Sequence, residues 1–364
     1  MAADHEKKNR RNYSADRFEI VRELGRGGTS IVYLVRSKEG GRKYAMKVLK
    51  TGLGEAPNAD TEVNDAGAEE AGAKKAGAKE AGEFGAAAAE LLRAEAETLE
   101  ELSYGQSCIG GSRHPGIPAY YGEVYNGGRF AGFLMEYVEG ESLQKLLAGG
   151  RVFTVREAAD TGVQLCRILT KLHAMKPPRI YRDLKPGNIL IRGDGSCVLV
   201  DYGAVRMYRP GADGDTCHLG TEGYAAPEQY GGWEQSDVRT DVYGVGAVLH
   251  HMLAGRPPSE TGLRPLKELP AGEGRTGSSE KGALQDKRIA ASDRTGSARK
   301  YSIQYSIMER ILLRACCVAP SMRYPSCREL EKALARLLRD GADAPFGINL
   351  RFLIRKCEDF LNQI

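Results

Sequence analysis

Two segments of the chain hold residues able to handle a phosphoryl group. Tyr181-Arg-Asp-Leu-Lys-Pro-Gly-Asn188 is followed, after a short interval, by Asp201-Tyr-Gly203. Asp183 can accept a proton from an incoming hydroxyl, and Lys185 can neutralise charge on a moving phosphoryl group. Asn188 and Asp201 supply hard oxygens of the kind Mg²⁺ prefers. Acidic and amide side chains are common in loops simply because they favour turns. An ordered set across two segments goes beyond that background and suits phosphoryl transfer from a metal-bound nucleotide.

Such side chains need a scaffold, and hydrophobic periodicity outlines one. Phe18 to Leu24 alternates apolar and polar residues, as a half-buried strand does. Gly25-Arg-Gly27-Gly28-Thr-Ser30 then precedes strand patterns at Ile31–Val35 and Tyr44–Leu49. Glycines at the tip of a hairpin let backbone N–H groups approach phosphate oxygens with no Cβ in the way. Tandem Ala-Gly-Ala repeats with Glu and Lys run from Ala66 to Glu80. Alanine, lysine and glutamate favour a helix, but each glycine at 67, 72, 77 and 82 opposes it by about 1 kcal/mol relative to alanine. A five-residue period also spreads every residue type around a helical cylinder. A mobile, low-complexity insertion is therefore expected over about 53–89.

Helical periodicity resumes from Glu90, with Leu92, Leu99 and Leu102 on one stripe. A second insertion, rich in Gly and Ser, spans 103–113. Phe130 to Val138 reads as a buried strand running into a connector. Val155 to Met175 reads as a long helix ended by Pro177-Pro178, with His173 expected to stabilise the core rather than carry protons. Ile189–Ile191 and Val198–Val200 read as short strands that leave Asp201 at a strand end. Met207 to Gly220 is a polar, glycine-containing loop, and Thr240 to Leu249 reads as the start of a buried helix. The polar stretch 258–302 is expected to be disordered, with helical pattern returning at Ile303. Residues 1–16 are expected to fray, and 341–364 carry no interpretable motif.

These motifs in this order resemble the protein kinase superfamily, notably its bacterial eukaryotic-like serine/threonine members through Gly223-Tyr-Ala-Ala-Pro-Glu-Gln229. The resemblance implies an α+β, bilobal fold: a small β-rich N-lobe with one main helix, and a larger, mainly helical C-lobe. It implies ATP with Mg²⁺ (or Mn²⁺) bound between them. The corresponding divisions are a flexible tail at 1–17, the N-lobe and hinge at 18–138, the C-lobe at 139–338 and an extension at 339–364.

Residue by residue, the resemblance places Gly25, Gly27, Gly28 and Ser30 over the phosphates, with Ser30 standing where the family's third loop glycine falls. Lys47 would position the α- and β-phosphates and Glu95 would hold it, in preference to Glu97, which would face well round the helix from Leu99. Met135 would lie at the back of the nucleotide pocket, the backbones of Glu136 and Val138 would bind the adenine edge, and Leu24, Val32, Ala45 and Leu190 would sandwich the base while packing as core. Asp183, Lys185, Asn188 and Asp201 keep the roles given above. Thr221 with Lys185 is the serine/threonine-specific combination. Thr216 is the candidate for loop phosphorylation, where about −1.5 to −2 charges could pair with Arg182. Asp241 would order the catalytic-loop backbone, and Glu228 with Arg323 would lock the substrate platform by a bidentate contact. Two positions depart from the common pattern: Tyr181 stands where His is commoner and Tyr202 where Phe is usual.

Composition narrows the partners. At 364 residues, 41% hydrophobic and 27% charged, the chain is long enough for two lobes and ordinary for a soluble protein. A net charge of +4, from 52 basic and 48 acidic residues, argues for neither nucleic acid nor an anionic membrane. There is no apolar run of membrane-spanning length and no secretory pattern at the N-terminus, so a cytoplasmic location is expected. The eight cysteines show no Cys-x-x-Cys spacing and read as reduced thiols. The expected partners are proteins with Ser/Thr acceptors, together with a transient homodimer for autophosphorylation. A catalytically silent nucleotide-binding scaffold is the alternative. A small-molecule kinase is a weaker one, since it would ordinarily lack the platform from Thr221 to Glu228.

Overall fold

The computed structural model describes residues 11–53, 71–104, 114–208, 220–231, 235–264, 266 and 296–340, with the side chains of 71–84, 231, 296–302 and 340 excepted. The chain divides into two compact units, residues 1–139 and 140–364.

The first unit is built on a six-stranded sheet in the order β1-β5-β6-β4-β3-β2. Its strands are β1 (Asn12–Ser14), β2 (Phe18–Arg26), β3 (Ser30–Ser37), β4 (Lys43–Leu49), β5 (Tyr120–Asn126) and β6 (Arg129–Glu136). All pairings are antiparallel except that of β1 with β5. One face packs Phe18, Val35, Met46, Val48, Val124, Ala131 and Leu134 into a core. β1 is a departure from the expected frayed tail. Tyr13 packs edge-on to Phe18, and Gly122 makes the approach of the chain feasible. A Cβ at Gly122 would lie 2.0 Å from the carbonyl oxygen of Arg11, and φ is +150°.

Helix α1 (Ala71–Tyr104) is the other departure: residues 71–89, expected in a mobile insertion, are helical. A buried stripe of Ala88, Leu92, Glu95, Ala96, Leu99 and Leu102 anchors its C-terminal half. Once a helix is nucleated by packing, adding alanine, lysine and glutamate upstream needs no new nucleus, so the glycines do not stop it. Residues 54–70 and 105–113 of the two expected insertions lie outside the described residues.

The second unit begins with β7 (Glu141–Ser142) and α2 (Leu143–Ala148), followed by α3 (Val155–His173). Thr154 and Glu157 form a reciprocal capping box at the start of α3. β8 (Arg179–Ile180), β9 (Ile189–Ile191), β10 (Cys197–Leu199) and β11 (Arg206–Met207) form two small sheets, β10-β9-β7 and β11-β8. After α4 (Glu228–Gly231) comes α5 (Val238–Ala254), in which every residue from Thr240 to Leu253 is buried. A helix apolar on nearly all sides belongs in a core. It starts at the Asp237 N-cap and stops at Gly255, whose φ of +68° is left-handed.

The stretch expected to be disordered from residue 258 contains α6 (Pro258–Thr261), and the next helix among the described residues, Gly296–Ala315, starts seven residues before the expected Ile303. The helix Cys327–Asp340 packs against α3. The remainder of that stretch, 267–295, and the C-terminal residues 341–364 lie outside the described residues. The described cysteines, Cys166, Cys197, Cys316, Cys317 and Cys327, are free thiols. Burial pushes the thiols of Cys197 and Cys316 up to about 12 and that of Cys327 well above the ordinary thiol value. Among the described residues, no helix is long and apolar enough to cross a membrane.

Candidate active site

In the first unit, Lys47 sits in β4 opposite Val32 of β3 and Phe133 of β6. Directly opposed residues share a sheet face, and side chains alternate along a strand. Val32, Ala45, Lys47 and Met135 therefore share one face. Lys47 is 7% exposed and Glu95 6%, and the lysine Nζ lies 2.7 Å from both carboxylate oxygens. Glu95 reaches it because it belongs to the buried stripe of α1, whereas Glu97 is exposed. A buried pair of this kind is costly to break, because the surviving charge is left without its counterion.

Gly132 makes room for the lysine strand. A Cβ there would lie 2.0 Å from the Lys47 carbonyl oxygen, so only glycine lets β6 and β4 lie this close. The β2–β3 hairpin carries Gly25, Gly27 and Gly28, with the Gly27 amide donating to the Ser30 carbonyl at 2.8 Å. Around Gly25 and Gly28 a Cβ would meet nothing within 4 Å, so these glycines expose backbone instead of filling a packing gap. Leu24 is exposed, beside a bulge. Met135 and Glu136 end β6, and Val138 is buried just beyond. The Glu136 amide donates to the Ala119 carbonyl at 2.8 Å. Leu190 belongs to β9 of the second unit.

In the second unit, the loop after β8 is held from beneath by one carboxylate. Asp241, 1% exposed, accepts the Tyr181 and Arg182 amides at 2.9 Å each. Arg182 needs that hold because its φ of +71° is unusual for a non-glycine residue. His173 Nε2 lies 2.8 Å from the same carboxylate. Burial alone would lower the imidazole, but the hydrogen bonds to Asp241 and Cys327 raise it to about 10, so His173 is a charged counterion.

Above this base the Asp183 carboxylate is fixed by three groups. Thr221 Oγ1 donates to its Oδ1 at 3.0 Å, Lys185 Nζ to its Oδ2 at 2.7 Å, and Asn188 Nδ2 to its Oδ2 at 3.2 Å. The Asn188 amide nitrogen also donates to the Asp183 carbonyl at 2.9 Å, which turns its amide oxygen the other way. The Val200 amide donates to the Asn188 carbonyl at 2.8 Å, tying the end of β10 to this loop next to Asp201. Asp201 is exposed, with φ at +67°. The backbone just before Asp201 is thus tied to the loop that carries Asp183.

The platform is locked separately. Arg323, 2% exposed, makes a bidentate contact with Glu228, both N–O distances being 2.7 Å. It also donates to the carbonyls of Cys317, Val318 and Arg239, and Thr240 Oγ1 donates to Glu228 Oε1 at 2.8 Å. Gln229 donates to the Arg182 carbonyl at 2.9 Å while accepting the Ala226 amide at 2.9 Å, so it joins platform to catalytic loop. The residue reading assigned no role to Gln229 or Thr240. Gln229 ends the quoted motif, which was the available signal, whereas Thr240 had none. Thr216 lies outside the described residues.

The comparisons with known proteins agree with this geometry. The protein kinase domain family matches residues 84–286, more than half of the chain, and the chain belongs to that family. It is 29% identical over 252 residues to the probable serine/threonine-protein kinase PknB of Corynebacterium glutamicum, covering 68% of this chain and 32% of the relative. It is 26% identical over 332 residues to the serine/threonine-protein kinase PknB of Mycobacterium tuberculosis, covering 90% and 44%. The PknB of Mycolicibacterium smegmatis is 27% identical over 338 residues, covering 91% and 44%. The chain therefore spans about a third to under half the length of these relatives. The α+β fold, with an N-terminal sheet and a mainly helical C-terminal part, is that of the family.

Protein kinase domains use ATP with Mg²⁺ in general, and the residues fit that pair. Mg²⁺ keeps several waters and takes one or two protein oxygens, and an exposed Asp201 with the outward amide oxygen of Asn188 is such a set. Open backbone at Gly25 and Gly28 and a buried, oriented Lys47 suit a polyphosphate.

Proposed function

We propose that this chain is an ATP-dependent serine/threonine protein kinase that transfers the γ-phosphoryl group to hydroxyls of protein substrates and to its own chain. The observation that carries the reading is the Asp183 carboxylate, held on one oxygen by Thr221 and on the other by Lys185 and Asn188. A base fixed in this way can orient an incoming hydroxyl and take its proton. Lys185 would then move to charge developing on the transferred group. Lys47, oriented by Glu95, would bind the α- and β-phosphates, and Asn188 with Asp201 would hold the metal, which neutralises phosphate charge when bound. Thr221 beside Lys185, and the names of the relatives, support serine and threonine as acceptors.

The test is incubation with γ-labelled ATP, Mg²⁺ and a generic protein substrate, followed by phosphoamino-acid analysis. Label on serine or threonine is expected. Label on tyrosine alone, or on none with a folded protein, contradicts the proposal.

A further inference from the structure

The two tyrosines that depart from the family pattern sit on either side of the strained residue Asp201. Tyr202 follows it in sequence, yet its hydroxyl donates back to the Leu199 carbonyl at 3.1 Å. That bond spans Asp201 and closes a small ring around its left-handed φ of +67°. Tyr181 comes from the catalytic loop, and its hydroxyl donates to the Val200 carbonyl at 2.6 Å. The rings meet edge to face, with centroids 5.7 Å apart and planes at 87°. Both residues are buried, at 0% and 2% exposure.

A non-glycine residue in the left-handed region is costly and persists only when its surroundings over-determine it. Here the two carbonyls immediately before Asp201 are each held by a phenol. A phenylalanine at 202 would keep the ring but release the Leu199 carbonyl. Tyr181 is itself tied at its amide to Asp241, so the same residue fixes the catalytic loop and the turn that aims Asp201.

We infer that Tyr181 and Tyr202 are positioning residues: their hydroxyls form a two-point clamp that holds the Asp201 carboxylate in the orientation that binds the metal. This rests on the kinase reading above. The hydroxyls do not touch substrate; they set metal affinity through the backbone.

The experiment measures Mn²⁺ binding by electron paramagnetic resonance in the presence of a non-hydrolysable ATP analogue, for the full chain and for Tyr202→Phe, Tyr181→Phe and the double variant. Each single change removes a hydrogen bond and no ring. Mn²⁺ affinity is expected to fall about three- to tenfold in each, the range that the net worth of one hydrogen bond converts to. Affinity for the analogue without metal should hold. The double variant should lose less than the product of the single losses, because either change already frees the same turn.

A lower melting temperature with unchanged Mn²⁺ affinity in both single variants would reduce the hydroxyls to ordinary packing and overturn the clamp. If Tyr181→Phe does not fold, Tyr202→Phe alone decides. Failure of the parent chain to bind Mn²⁺ with nucleotide would instead sink the kinase reading, and the clamp with it.

Discussion

Asp183 and Asp241 serve one loop in different ways: the first accepts from Thr221, Lys185 and Asn188, and the second holds the backbone from below. Asp241 is buried, and His173 lies against its carboxylate. The folded imidazole, raised to about 10, lies above its ordinary 6.5. The stabilisation from this shift is therefore complete below about pH 6.5 and is lost as pH rises through about 10. His173→Gln should remove that dependence. In denaturant titrations the gap between parent and variant should be on the order of a few kcal/mol near neutral pH and should narrow toward about pH 10. A gap that stays constant over that range would mean the imidazole is not charged. The same scale shows what single residues disclose beforehand. Asp183, Asn188 and Asp201 stood out as candidates because phosphoryl chemistry restricts which side chains can serve, and Lys47 through the resemblance alone. The hydroxyls of Tyr181 and Tyr202 were visible as substitutions, but their acceptors are backbone carbonyls that no residue pattern marks.

At the scale of elements, α1 shows where periodicity suffices and where it does not. The stripe of Leu92, Leu99 and Leu102 was readable, and all three are buried. The start at Ala71 was not, because a helix extended from a packed anchor tolerates glycines that an isolated one would not. Among the described side chains of α1, burial begins at Ala88. Deleting residues 55–84 should therefore leave stability within about 0.5 kcal/mol of the parent and phosphate incorporation intact. Loss of folding or of activity in that deletion would show that the repeat supports the Lys47–Glu95 pair. β1 escaped notice for a different reason. It is short and polar, and its register depends on an approach of the chain that only glycine at 122 permits.

For the molecule as a whole, the ordered motifs forecast the fold class because each marks the end or edge of an element. The resemblance also forecast the contact between Glu228 and Arg323, two residues far apart in the chain. Residue pattern alone could not supply the five acceptor contacts that the Arg323 guanidinium makes. This arginine joins the platform to the segment before the helix Cys327–Asp340. Arg323→Ala should cost about 3–5 kcal/mol in urea unfolding, because the buried Glu228 side chain would lose its counterion and keep only the Thr240 hydroxyl. A loss below about 1 kcal/mol, the range of exposed pairs, would show that the lock is not structural.

The central claim is that Asp183 serves as the base for phosphoryl transfer, and its most direct test compares the parent with Asp183→Ala for incorporation of γ-phosphate from Mg-ATP. The account predicts a fall of roughly 10²–10⁴-fold, with circular dichroism and melting temperature preserved. A folded Asp183→Ala protein that incorporates phosphate at near-parental rate would contradict it.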